Sequence, residues 1–366
     1  MFRMQKPLPS KFSEADNSEL IDSIKKSKDI LGEKLFILGH HYQRDEIIQF
    51  ADAKGDSLAL SKLAAKQAKA KYIVFCGVHF MAEAADILTL DDQIVILPDL
   101  NAGCSMADMA DIDQISQCWQ DLQAIVDIQN VVPITYINSA ATLKAFVGQN
   151  GGSVCTSSNA KSVVKWALDK SPDSKIIFFP DQHLGRNTAF ELGFDHSDMV
   201  LWDPQLDLGG NDKKELTEAK FILWKGHCSI HQRFSVANIN EFRQQYSTGQ
   251  VIVHPECSHE VVEKADLAGS TDFIIKTITA APAGAIFGVG TEIHLVNRLA
   301  NENTDKTVIS LDPLICPCAT MFRIDLKHLA WILELLVEGQ VTNQIKVNEK
   351  TKAMAKLALD RMLEIV

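Results

Sequence analysis

Short apolar runs alternate along the chain with longer stretches whose apolar residues recur every three to four positions, a pattern that predicts βαβ units and parallel sheets. The strand candidates are KLFILGHH, YIVFCG, IVILPD, VVPITYI, KIIFFPD, FILWKG, QVIVHPE, FIIKTI, AIFGVG and TVISLDP. Amphipathic helices are predicted from DSLALSKLAAKQAKA, SNAKSVVKWALDK, SHEVVEKADLAG and GTEIHLVNRLANE, with two more helices after Asp325. Residues up to about Lys34 read as a polar arm followed by one helix.

Three of the predicted strands end alike. GHHYQ at 39–43, TYINS at 135–139 and VHPEC at 253–257 each close an apolar run with a polar cluster, and ILPDLNAG at 96–103 resembles FFPDQHLG at 178–185. Three similar units are therefore expected. In parallel α/β sheets ligands lie beyond the carboxyl ends of the strands, so these clusters fall where a site belongs.

Charge and composition narrow the class of partner. The net charge of -11 is spread along the 366 residues, which argues against a nucleic-acid or anionic-membrane surface and for a small-molecule substrate. No run approaches the ~20 apolar residues of a membrane span, and the polar N-terminus lacks the apolar centre of a signal peptide, so a cytoplasmic protein is expected. In that reducing compartment the eight cysteines are read as ligands or packing residues, not as a disulfide framework.

The surroundings of the cysteines separate them. Cys104 in PDLNAGCSMADM, Cys228 in WKGHCSIHQRF, and Cys316 and Cys318 in LDPLICPCATMFRIDL follow apolar strands in turns, whereas Cys76, Cys118 and Cys155 sit where packing residues sit. The close Cys-x-x-Cys spacing of zinc ribbons and ferredoxins is absent, so spacing does not identify the metal. Three thiolates would leave one iron of a four-iron cluster open as a Lewis acid. A zinc-dependent lyase or hydrolase using the same cysteines with His227, His231 or His254 is the alternative.

Other polar residues have comparable placement. His40 and Tyr42, Tyr136 and Asn138, and His254 and Glu256 are pairs at i, i+2, which share one side of an extended chain. Imidazole, phenol and carboxylate are the usual general acids and bases, although strand-end side chains of these types also serve simply to satisfy backbone groups. The hydroxyl-rich stretches GDSLALS, CTSSNA and AGST precede helices, where they suit either an anion or an N-cap. No P-loop is present, and GVGTE is too short to mark a dinucleotide site.

From about Leu35 onward the chain resembles the quinolinate synthases of NAD biosynthesis, in HxYQ, GDSLALS, PDLNAGCS, YxNS, CTSSNA, WxGxCxxH, HPE, AGST, VGTE, C-x-x-M and the late RML. The resemblance implies an α/β fold of three related αβα domains around a pseudo-threefold axis with a central cavity. The expected divisions are 1–34 (arm and helix), 35–118, 119–228, 229–330 and 331–366, the last being helices that pack on the first domain. It implies one [4Fe-4S] cluster on Cys104, Cys228 and Cys318, the last chosen over Cys316 because Cys318-Ala-Thr-Met321 matches C-x-x-M. Iminoaspartate and dihydroxyacetone phosphate are the implied substrates. Tyr42, Glu256, His40 and His254 are the implied catalytic residues. His40, Ser57, Tyr136, Asn138, Ser157, His231, His254, Glu256 and Thr271 are the implied substrate contacts. Functional coupling to an L-aspartate oxidase and a monomeric or homodimeric state complete the expectation.

Overall fold

A computed structural model describes residues 5–314 and 317–365 of the chain. They divide into two compact units, Met1–Cys104 with Pro317–Asn348, and Ser105–Cys316 with Glu349–Val366. The predicted strand KLFILGHH forms β1 (Leu35–His40) of the first unit. It lies beside β2 (Ala53–Gly55) and β3 (Tyr72–Cys76), with β4 (Ile94–Ile96) beyond β3, all parallel. Antiparallel Gln344–Ile345 closes the β4 edge. β3 is buried along its whole length, which is why YIVFC reads as an unbroken apolar run and not as an alternating one.

The second unit carries two sheets. β5 (Val131–Tyr136), β6 (Ser153–Cys155), β7 (Lys175–Phe179), β8 (Met199–Trp202) and β9 (Phe221–Trp224) form a parallel sheet in the order β6-β5-β7-β9-β8. β10 (Gln250–Val253), β11 (Leu267–Ala268), β12 (Ile286–Gly290) and β13 (Thr307–Ser310) form another in the order β11-β10-β12-β13. The chain is thus α/β with three mostly parallel sheets flanked by helices.

One predicted strand is a helix. FIIKTI lies inside Thr271–Ala280, where Ser270 caps the N-terminus by accepting the Phe273 N–H, and Ile274 and Ile278, one turn apart, fill the buried face. β-branched composition suggested a strand, and the cap with its i, i+4 apolar pair decides otherwise. The short strands β2, β6 and β11 and the pair Gln344–Ile345 carry too few apolar residues to stand out in the sequence, whereas β8 (MVLW) is wholly apolar but only four residues long.

The two C-terminal helices part company. Leu326–Val337 packs on Asn17–Leu31 in the first unit. Glu349–Glu364 instead packs on the Ala141–Gln149 helix and β6 of the second unit. Gly148 permits this approach, since a Cβ there would lie 2.0 Å from the Met354 carbonyl oxygen.

The register makes the three-unit repeat concrete. His40 of β1 is opposite Gly55 of β2, Tyr136 of β5 is opposite Cys155 of β6, and Val253 of β10 is opposite Ala268 of β11. Extending the third pair by one residue sets His254 level with Gly269, so His40, Tyr136 and His254 occupy one equivalent place. Ser57 lies two residues past Gly55, Ser157 two past Cys155 and Thr271 two past Gly269. A cap inside the repeat is also shared: the Asp52 carboxylate accepts the Ile37 N–H at 2.8 Å, and the Asp266 carboxylate accepts the Val251 N–H at 2.7 Å. The middle copy has Pro133 at the donor place and Gly152 at the acceptor place. Proline has no N–H to cap, and a Cβ at position 152 would lie 1.8 Å from the Pro133 oxygen, so donor and acceptor are lost together.

Candidate functional site

The three cysteines singled out in the sequence recur at one position of the repeat. Each is followed by a 3-10 turn that begins three residues later, at Ala107–Met109, His231–Arg233 and Met321–Arg323. Each precedes by seven residues the N-cap of the next helix, namely Asp111, Ser235 and Asp325. Caps of these types fix where the helix starts, and so fix the turn before it. Cys318, two residues after Cys316, is the one that keeps this spacing; Cys316 itself lies outside the described residues. Cys104, Cys228 and Cys318 are partly exposed, whereas Cys76, Cys118, Cys155 and Cys257 are buried. Burial pushes the Cys76 thiol up to about 12 and raises Cys118, Cys155 and Cys257 as well, so these four are protonated packing residues.

In the first unit, His40 is buried at the end of β1 and its Nδ1 accepts the Tyr42 N–H at 3.1 Å. The two rings meet edge to face with centroids 4.8 Å apart. Ser57 opens the helix Ser57–Lys66 behind the Asp56 cap. Gln43, completely buried, donates to the Met321 carbonyl at 3.3 Å and thereby ties the HHYQ turn to the segment that follows Cys318.

The same device recurs in the second unit with a different cargo. His254 is buried past β10 and its Nδ1 accepts the Glu256 N–H at 3.3 Å, which leaves the proton of the neutral ring on Nε2. Glu256 lies where Tyr42 lies in the first repeat and Asn138 in the second. Its Oε2 is 2.6 Å from His231 Nδ1 and 3.7 Å from His254 Nδ1. The two imidazoles stack with centroids 4.5 Å apart, and His231 Nε2 is 3.3 Å from the Thr291 hydroxyl. Tyr136 supplies a further hydrogen bond to the Glu256 carboxylate.

Electrostatics at this cluster run against simple burial. Burial alone would raise Glu256, but His231 and His254 beside it, with hydrogen bonds from His231 and Tyr136, hold its carboxyl down to about 2. Burial brings His254 down to about 3, the adjacent Glu256 only partly offsetting it. Asp181, completely buried, is raised by burial and then by the charge of Glu256, although its Oδ1 accepts the N–H groups of His183 and Leu184. The outer oxygens Glu256 Oε1, Asp181 Oδ2 and Asn138 Oδ1 are buried without a hydrogen-bond partner, an expensive condition that a bound polar ligand relieves. Cys228, His231 and Glu256 present one sulfur, one nitrogen and one oxygen donor within 4.8 Å of one another.

Within the second unit the structure thus gathers Tyr136, His231, His254 and Glu256 around one another, with Cys228 adjoining. Ser157 is partly exposed and Thr271 buried, each at its repeat position beyond the strand end. Asp181 and Thr291 were not singled out in the sequence. Thr291 follows β12 directly and Asp181 follows β7 after Pro180, a signal available in FFPDQ and GVGTE but shared with ordinary helix caps. Among the described residues no helix is long and apolar enough to cross a membrane.

Comparison with known proteins bears directly on this arrangement. The family described as Quinolinate synthetase A protein matches residues 20–364. A Corynebacterium glutamicum protein named Quinolinate synthase is 54% identical over 362 residues, covering 99% of this chain and 91% of its own. A protein of the same name from Halalkalibacterium halodurans is 52% identical over 362 residues, covering 99% and 98%. Another, from Geobacillus kaustophilus, is 54% identical over 359 residues, covering 98% and 96%.

Proposed function

The chain belongs to the quinolinate synthetase A family, enzymes of NAD biosynthesis, and we propose that it condenses iminoaspartate with dihydroxyacetone phosphate to quinolinate, phosphate and water. Cys104, Cys228 and Cys318 would hold a [4Fe-4S] cluster. Support for this ligand set is the shared spacing of the three cysteines to a following 3-10 turn and helix cap, together with their partial exposure where the other thiols among the described residues are buried. That observation carries the reading. Three thiolates suit such a cluster, and when bound it would supply a Lewis-acidic iron without a protein thiolate.

The remaining chemistry is assigned to the chain's own side chains. Glu256, anionic and paired to His231, is the proton acceptor for a carbon or imine position, and Tyr42 is the phenolic partner from the equivalent place in the first repeat. His40 and His254, each fixed by a backbone N–H at Nδ1, present Nε2–H as a donor to substrate oxygens. Tyr136, Asn138 and His231 contact the substrate, and Ser57, Ser157 and Thr271 bind its carboxylate or phosphate oxygens at the starts of the following segments. Iminoaspartate hydrolyses readily, so buried groups that exclude water favour condensation.

Anaerobically purified protein is expected to be brown, with about four irons per chain, and to form quinolinate from the two substrates. Ser replacement of Cys104, Cys228 or Cys318 should remove iron and activity, while Cys118→Ser should retain both. A colourless, iron-free and fully active enzyme would overturn the proposal. The zinc-dependent lyase or hydrolase has one observation in its favour, the sulfur, nitrogen and oxygen donors of Cys228, His231 and Glu256, a set that zinc accepts. Metal analysis of the active protein decides between them. A cytoplasmic location and functional coupling to an L-aspartate oxidase are part of the same proposal.

A further inference from the structure

Asn187 lies on the helix Gln182–Glu191 and is buried, with none of its neighbours in sequence assigned to the chemistry above. Its carboxamide nitrogen donates to the Pro255 and Cys257 carbonyls, each at 2.9 Å. These are the carbonyls on either side of Glu256. The amide cannot be turned over, because its oxygen would then face two carbonyl oxygens. Asn187 Oδ1 therefore faces His259 Nδ1 at 3.0 Å, and that nitrogen must carry the hydrogen. The His259 ring in turn stacks on Phe190, one helical turn beyond Asn187, with centroids 3.8 Å apart and planes at 15°. The helix bearing both residues starts at the Asp181 cap, which accepts two of its N–H groups.

The backbone of the turn it grips is otherwise held at its two ends and at the Glu256 N–H, which His254 Nδ1 accepts. His254 donates its N–H to Gly290 at 3.0 Å, and Cys257 donates to His254 at 3.0 Å and packs in the core with Phe242 and Val261. Between these points the Pro255 and Cys257 carbonyls set the direction from which the Glu256 side chain leaves the backbone. We propose that Asn187 is the positioning residue that aims the Glu256 carboxylate at His231 and the substrate, a claim that rests on the acid–base reading of Glu256. A helix-borne amide with both hydrogens and its oxygen engaged is a stiffer support than the turn itself.

Asn187→Leu keeps the volume and removes both donors. In the anaerobic quinolinate assay kcat should fall by about tenfold to a hundredfold, with KM changed less than twofold and the iron content kept. Amide hydrogen exchange of residues 254–258 should quicken while that of β7 and β9 does not. Because the effect runs through Glu256, Asn187→Leu combined with Glu256→Gln should be no slower than Glu256→Gln alone. A kcat within twofold of the parent, or losses that multiply fully in the double variant, would overturn the inference. Should Asn187→Leu not fold, Asn187→Asp carries the same test, since it retains the acceptor to His259 and sets an oxygen against both carbonyls. A parent protein that forms no quinolinate overturns the functional reading beneath; an active parent with an undiminished variant overturns this inference alone.

Discussion

At the scale of single residues, the structure gives one imidazole–carboxylate cluster two distinct histidines. His254 accepts a backbone N–H at Nδ1 and is held neutral by burial, while His231 faces the Glu256 carboxylate at 2.6 Å. The buried carboxylate is kept ionised because the neighbouring His231 and His254, with the hydrogen bonds from His231 and Tyr136, outweigh the cost of burial. Glu256→Gln is close in size and removes the proton acceptor. Its kcat for quinolinate formation should drop by about a hundredfold to ten-thousandfold, the usual contribution of a placed general base, with iron content intact. Steady-state assays checked against metal analysis read this out, and a drop of less than fivefold would remove Glu256 from the proton-transfer role. These residue types were legible in HPE and WKGHCSIH, but their pairing was not. Nothing in the spacing of residues 231 and 256 announces a contact between side chains on separate turns.

At the scale of elements, the repeat of strand, turn and cap was partly visible. The polar clusters closing β1, β5 and β10 were evident from the letters, as was the run of apolar residues before each. The equivalence of Ser57, Ser157 and Thr271 emerges from register, since Ser157 and Ser158 are adjacent letters and only strand pairing ranks them. FIIKTI shows the opposite failure: composition favours a strand, and a capped helix with Ile274 and Ile278 on its buried side prevails. Helix packing supplies a direct test. Gly148→Val places a Cβ 2.0 Å from the Met354 oxygen, so the C-terminal helix must shift or detach. Urea unfolding should show a loss of about 1–3 kcal/mol or more, whereas Leu357→Gln on the exposed side of the same helix should change stability by less than about 0.5 kcal/mol. Equal effects of the two substitutions would contradict the packing described.

At the scale of the whole molecule, acid sensitivity follows from buried neutral histidines. Burial, and then Arg186 and His227, bring His183 down to about 4, and burial brings His254 down to about 3. An unfolded histidine titrates near 6.5, so between those values the unfolded chain binds more protons than the native one, and stability declines as pH falls below about 6.5. Each group should remove on the order of 1 kcal/mol by pH 5.5. His183→Gln should lessen the decline between pH 7 and pH 5 in urea titrations; an unchanged slope would exclude this histidine as a source. The sequence by itself determined the α/β class, the three strand-end clusters, the cysteines worth suspecting and the family resemblance, because strand burial and cap chemistry are local and leave a periodic trace. Tertiary structure alone decided that Glu256 meets His231, that Asn187 grips the turn around Glu256 and that the last helix lies on Gly148. Those contacts join residues tens to hundreds of positions apart, and their geometry depends on sheet register and helix approach, which no local pattern encodes.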